Sequence, residues 1–425
     1  MRTFVALAAL AVMGLLAACN GSENVVRTAT PEPSSSAVSP VAATPSPIVT
    51  AEAALTATVA PLAEYPPKVS LTEPGVYLVC PDETGLRQLV SGEGRYPSSW
   101  SPDGSRIAIA ANGSGEPRVL AIDVDGEAEV TVFDGSGRGA ELWVGKPLWS
   151  PDGRLLAVPA GPYQETEGWH VYLVNADGGD DPIDLFEGFP REWSPDGSAL
   201  AFVEYSEEGV TLKTFDLATR MANVIERGTD LNSFAWSPDS QRMAYTVQSR
   251  LPTFEGVVII DRDGWNRRVI AERGGSPQWS PDGKYLTFVD REGWVTLVSV
   301  NTNADPVRLS PGGVAGWPPR GDAVLIWDKW SLEEVSLATY ETIDRVDLAG
   351  HVPAGTGWVR LSPDREQIML TVSDPRKQAP EALFVMNIDG TGLQKLVQFS
   401  TGIVGAEWSP DGRYIALIDG RTGIS

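Results

Sequence analysis

The sequence predicts an all-β fold, a β-propeller built from four-stranded blades. Three observations carry that expectation. A short phrase returns along the chain at nearly constant spacing, each copy contains a turn suited to a tight hairpin, and the two ends of the array supply complementary halves of one unit.

Trp100-Ser101-Pro102-Asp103-Gly104 is the first copy, and the others begin at Trp149, Trp193, Trp236, Trp279, Trp317, Leu361 and Trp408, 38 to 49 residues apart. Such a period means one supersecondary unit stacked many times. Each copy reads aromatic, turn, then an apolar run with period two, as in Ser105-Arg106-Ile107-Ala108-Ile109-Ala110 and Arg413-Tyr414-Ile415-Ala416-Leu417-Ile418. Period two is the strand signal. Pro presets φ near −65°, Asp bonds local backbone and Gly takes the positive-φ exit, so the phrase joins two antiparallel strands. The Trp closes the first strand and packs between neighbouring units.

A second turn recurs about half a unit later, at Asp123-Val124-Asp125-Gly126, Asn175-Ala176-Asp177-Gly178, Asp261-Arg262-Asp263-Gly264 and Asn387-Ile388-Asp389-Gly390. Each unit therefore holds four strands, A to D, with tight A–B and C–D turns and variable B–C and D–A connections, the pattern of a propeller blade. After the last hairpin the chain supplies only strands A and B. Before the first, Val76–Cys80 and Arg87–Val90 flank Pro81-Asp82-Glu83-Thr84-Gly85 as a lone C–D hairpin. Pairing the two halves zips the ring shut and removes exposed sheet edges. Eight blades are expected, one of them composite. Seven is the alternative, because the Trp317 copy reads Trp-Pro-Pro-Arg-Gly-Asp and the Leu361 copy lacks its Trp and Gly.

The tandem W-S-P-D-G phrase resembles the WD40-like (PD40) repeat of the TolB-type bacterial propeller family, over roughly residues 70–425. The resemblance implies a periplasmic or cell-surface protein whose propeller binds other macromolecules. The chain departs from TolB in having no globular α/β domain ahead of the propeller.

Residues 1–18 read as a lipoprotein signal peptide, with Arg2 as the positive start and Phe4–Leu16 as an apolar stretch too short to span a membrane. Leu16-Ala17-Ala18-Cys19 resembles a lipobox, which makes Cys19 the expected lipidation site. An ordinary signal peptide cut after Ala18 is the alternative. Residues 19–68, rich in Ala, Thr, Ser and Pro, read as a disordered stalk, and 69–425 as the propeller. The expected address is extracytoplasmic, in the periplasm or on the cell surface, anchored to a membrane through the N-terminal lipid.

A net charge of −23 argues against nucleic acid as a partner. With Cys19 lipidated, Cys80 is expected to be an unpaired, buried thiol. Two His, in different blades, and the lack of HExxH, CxxC, EF-hand or G-x-S-x-G patterns leave no expected catalytic residue, metal or cofactor. Gly135–Ala140 matches a relaxed dinucleotide fingerprint, but the strand-like Glu141-Leu142-Trp143-Val144 follows it where a helix is required. No hydrolase domain is expected after Ser425.

The A–B and C–D turns share one face and the B–C and D–A loops the other, where function varies without disturbing the scaffold. Three B–C loops, 161–169, 249–255 and 374–380, offer the aromatic and basic residues typical of binding hot spots: Tyr163, Trp169, Arg250, Phe254, Arg376 and Lys377. Tyr96, Lys146, Arg191 and Glu407 lie just ahead of the motif Trp, facing either the channel or the blade interface. The function expected is non-enzymatic binding of a protein or cell-envelope component through this loop face, in an oligomeric state the sequence leaves open. The alternative is a carbohydrate-active or other hydrolytic enzyme with carboxylates in the channel.

Overall fold

The structure is a computed structural model. It describes residues 70–419 apart from 72–74, 83–85, 92–94, 113–115, 127, 139–141, 164, 166, 208, 229, 249–254, 303, 319–320, 329–330, 349–355, 374–379 and 400–402. The expected signal peptide and stalk lie outside the described residues.

Eight antiparallel sheets of four strand positions each follow one another in a ring. Blade 1 holds Arg95–Trp100, Arg106–Ala111, Arg118–Asp123 and Glu129–Asp134 as strands A to D. Blade 3 holds Phe189–Trp193, Ala199–Ser206, Gly209–Asp216 and Met221–Gly228 in the same order. Blade 8 is the composite one: Ile403–Trp408 and Ile415–Asp419 supply A and B, Gly75–Val79 and Arg87–Ser91 supply C and D. Val76 pairs with Ile418 and Leu78 with Ala416, so the chain's two ends share one sheet. The degenerate copies at Trp317 and Leu361 still build complete sheets, which decides eight against seven.

The core is not central. Eight apolar clusters form, one at each interface between neighbouring blades, including the closing interface between blades 8 and 1. This explains the character of the apolar runs. In blade 1, Ile107 and Ile109 pack toward blade 8, while Ala108 and Ala110 pack toward blade 2. Successive side chains of a strand point to opposite faces, and here both faces are buried. The period-two pattern is therefore one of large against small side chains.

Two features went beyond expectation. Ser70–Leu71 adds a fifth strand, parallel to the outer strand of blade 7, with Ser70 opposite Gln398. Cys80 is buried and disulfide-bonded, which corrects the expectation of an unpaired thiol.

Candidate functional site

The recurring motif is spent on architecture. In the first copy Ser101 Oγ donates to Asp103 Oδ1 at 2.6 Å and accepts the Arg106 N–H at 2.8 Å, while Asp103 Oδ1 accepts the Ser105 N–H at 3.0 Å. The same Ser–Asp bond recurs at Ser150, Ser194, Ser237, Ser280, Ser362 and Ser409. The Ser101 hydroxyl is the main reason the Asp103 carboxyl lies below its ordinary range, and Ser150 does the same for Asp152. The D-x-D-G turns are closed in a similar way: Asp389 Oδ1 accepts both the N–H and the hydroxyl of Thr391. Among the described residues no three His, Cys, Asp or Glu side chains converge on a common point.

The A strands have a paired edge toward strand B and an open edge toward the axis, so they line the central channel. Seven of them carry a β-bulge two to four residues before the motif position. In blade 2 the strand is broken outright into Leu142–Val144 and Leu148–Trp149, with Gly145-Lys146-Pro147 between. A bulge re-aims side chains by breaking the alternation of faces. In blade 3 it falls between Pro190 and Glu192, and the consecutive residues Arg191 and Glu192 are both exposed. Glu192 reaches solvent, yet the protein around its carboxyl strips away enough hydration to push it up to about 7, partly offset by the Trp236 backbone N–H.

Blades 2 and 3 also carry a row of aromatic side chains toward the B–C/D–A face. Tyr163, 51% exposed, packs against Trp143 with ring centroids 4.6 Å apart and the ring planes tilted by 32°. Trp169 is buried, donates its indole N–H to the Glu165 carbonyl at 2.8 Å, and lies 4.8 Å from the Phe189 ring. Gly161 makes room for it: a Cβ there would sit 2.5 Å from the indole Cγ. Phe189 meets Tyr205 edge-on at 5.4 Å, and Tyr205 Oη accepts a hydrogen bond from Arg191 Nη2 at 2.8 Å.

Of the residues singled out from sequence, the fold brings Tyr163, Trp169, Lys146 and Arg191 to these two neighbouring blades. Lys146 is exposed in the break of the blade 2 inner strand. Trp169 is buried and buttresses the loop from below. Glu407 is exposed on the inner strand of blade 8, away from this cluster. Tyr96 pairs with Ala110 through its backbone in blade 1, and its side chain lies outside the described residues. Arg250, Phe254, Arg376, Lys377 and Cys19 lie outside the described residues altogether.

Sequence reasoning missed Trp143, Phe189, Tyr205 and Glu192. One signal for them was available: the interval from Trp100 to Trp149 is the longest in the array, and its surplus residues fall in the D–A connection that leads to Trp143.

No model of a known protein family matches the chain. It is 22% identical over 200 residues to the uncharacterised peptidase YuxL of Bacillus subtilis (strain 168), covering 44% of this chain and 28% of that protein. It is 26% identical over 231 residues to the uncharacterised protein Atu1656 of Agrobacterium fabrum, covering 52% of this chain and 64% of that protein. The chain thus spans less than two thirds of the length of either relative. Among solved structures, a TolB protein from Agrobacterium tumefaciens is similar with a TM-score of 0.39 and 14% identity, over 81% of this chain and 97% of that one. Prolyl endopeptidases studied for their inter-domain dynamics are similar with a TM-score of 0.50 and 14% identity, over 71% of this chain and 49% of theirs. What the chain shares with the prolyl endopeptidases is the fold alone.

Proposed function

We propose that this protein is a membrane-tethered, non-enzymatic propeller of the TolB kind that binds a protein or cell-envelope ligand through its B–C/D–A face, on the extracytoplasmic side. One observation carries the reading. The paired rings of Tyr163 and Trp143 and the anchored Arg191 lie on two adjacent blades, with Lys146 exposed in the inner strand of the first, and exposed aromatic and arginine side chains on a rigid frame are what binding hot spots use. Crosslinking in native membranes tests it, comparing the wild-type chain with Tyr163→Ala/Arg191→Ala and with Trp265→Ala on the outer rim. A ligand held by wild type and by the rim variant, and lost from the double variant, is the expected result. Capture indifferent to the double variant overturns the assignment of the face.

A hydrolytic reading is favoured by the raised carboxyl of Glu192 on the channel wall. Hydrolysis of a glycan or peptide bond that vanishes in Glu192→Gln supports it, and turnover unchanged in that variant removes it.

A further inference from the structure

We propose that the head of blades 2 and 3 is a saccharide site, in which a linear pyranose oligosaccharide lies on the open face of Tyr163 and runs toward Arg191 and Glu192 at the channel. The inference rests on the binding reading above and names the chemistry of its ligand.

The placement of exposed apolar groups separates this face from the rest of the surface. Ile183, Met221, Val224, Trp265, Val269, Tyr340 and Ile343 are the other large apolar side chains most open to solvent among the described residues, and all lie on D strands or C–D turns at the outer rim. Tyr163 is the exception. Its face is aromatic and flat, with no exposed aliphatic side chain beside it among the described residues. A protein partner draws its affinity from apolar area packed at a dry centre. A pyranose ring offers something different: a flat face of C–H groups for an aromatic ring and a rim of vicinal hydroxyls for planar, forked polar groups.

The site is rigid where such a ligand needs it to be. Tyr163 is braced by Trp143, and the loop beneath is pinned by the Trp169–Glu165 bond and by the Gly168 N–H donating to Glu187 Oε1 at 3.1 Å. Little side-chain freedom remains to be lost on binding. The planar polar groups are also in place. Arg191 is held at one nitrogen by Tyr205, leaving the outer edge of an exposed guanidinium, and the bulge leaves the next residue, Glu192, exposed as well. A carboxyl near half-protonation at neutral pH both donates to and accepts from hydroxyls. The contacts that link Tyr163 to Arg191 pass beneath the surface through Gly161 and Trp169, so a ligand touching both must bridge from one blade to the next, which suits a chain of sugars better than a single ring.

Isothermal titration of the full chain with cellohexaose and with chitohexaose tests the inference. At least one hexaose is expected to bind, Tyr163→Ala to weaken it about tenfold, and Tyr163→Phe to hold within about threefold, since stacking needs the ring and not the hydroxyl. Absence of binding by both sugars, or binding that ignores Tyr163→Ala, overturns it. If the membrane crosslinking experiment captures a protein that Tyr163→Ala releases while both sugars fail, the saccharide inference falls and the binding face stands. If the sugars and the crosslinking both fail, the two readings fall together.

Discussion

Trp149 donates its indole N–H to the carbonyl of Ser99, 2.9 Å away and one blade back. The same latch joins Trp193 to Leu148, Trp236 to Glu192 and Trp279 to Ala235, so blades 1 to 5 are tied in series beside the channel. The equivalent indoles of Trp100, Trp317 and Trp408 are buried without a hydrogen-bond partner. A made bond contributes about 1 kcal/mol, whereas a buried donor left unpaired carries a cost. Trp193→Phe is therefore expected to lose about 1 kcal/mol more stability than Trp408→Phe, which sheds an unpaired donor. Urea unfolding of the two variants checks this, and equal losses would show that the latch contributes nothing.

Arg365 occupies the place of the motif glycine in blade 7 and is held at φ 63°. A side chain in that region costs roughly 1–2 kcal/mol, and the extra freedom of an unfolded glycine takes back about half of it. Arg365→Gly should raise stability by about 0.5–1 kcal/mol. Ser240, at φ 61° in the same place in blade 4, accepts the Asp196 N–H from the neighbouring hairpin at 3.0 Å. Ser240→Gly loses that bond and should come out near zero. Thermal midpoints of the two variants decide the point.

Stability should fall with pH on two sides for opposite reasons. Asp282 is lowered to about 2, chiefly by the hydrogen bond from Lys284, and Asp103 and Asp152 are lowered chiefly by their serine hydroxyls. Such groups contribute stability above their unfolded values, and it is lost as pH drops toward the folded ones. Glu192 runs the other way. Its folded carboxyl, at about 7 against an ordinary 4.5, favours the fold below 4.5 and loses that contribution as pH climbs to 7. In urea titrations from pH 3 to 8, Glu192→Gln should flatten the upper slope and leave the acid limb unchanged.

Trp169 and Tyr163 lie in one loop and should answer mutation differently. Trp169 is 7% exposed and wedged against Gly161 and Phe189, so Trp169→Ala opens a cavity and should cost about 3–5 kcal/mol. Tyr163→Ala at a half-open position should change stability by about 0.5–1 kcal/mol and act on ligand affinity instead. Calorimetric unfolding beside the binding titration separates the two roles.

The chain has two cysteines, Cys19 and Cys80. The tether requires Cys19 to be the acylated first residue of the processed protein. Mass spectrometry of protein extracted from membranes should find a chain that begins at Cys19 with acyl mass on it. A chain still beginning ahead of Cys19 would overturn the tether.

The blade boundaries and the composite blade were legible because Pro, Asp and Gly act through their own backbone geometry, within a few residues of one another. Trp193 could be placed at an interface from its recurrence alone. The site was only half legible. Tyr163 and Arg191 announced themselves by type and by position in variable connections, but nothing in the chain said that Trp169 would turn under the loop or that Arg191 and Glu192 would both escape burial. Those outcomes depend on Gly161 meeting an indole and on a bulge opposite Ala201, both contacts between strands.

By itself the sequence determined that this protein repeats one β unit around a ring and closes it with its own two ends. Turn chemistry and side-chain period are local, and they recur in copy after copy. Only the tertiary structure decided that, among the described residues, blades 2 and 3 carry an aromatic and charged surface beside the channel. That surface arises where strand A of blade 2 breaks and strand A of blade 3 bulges, and the way neighbouring blades pack, which no single repeat encodes, determines which side chains such irregularities release to solvent.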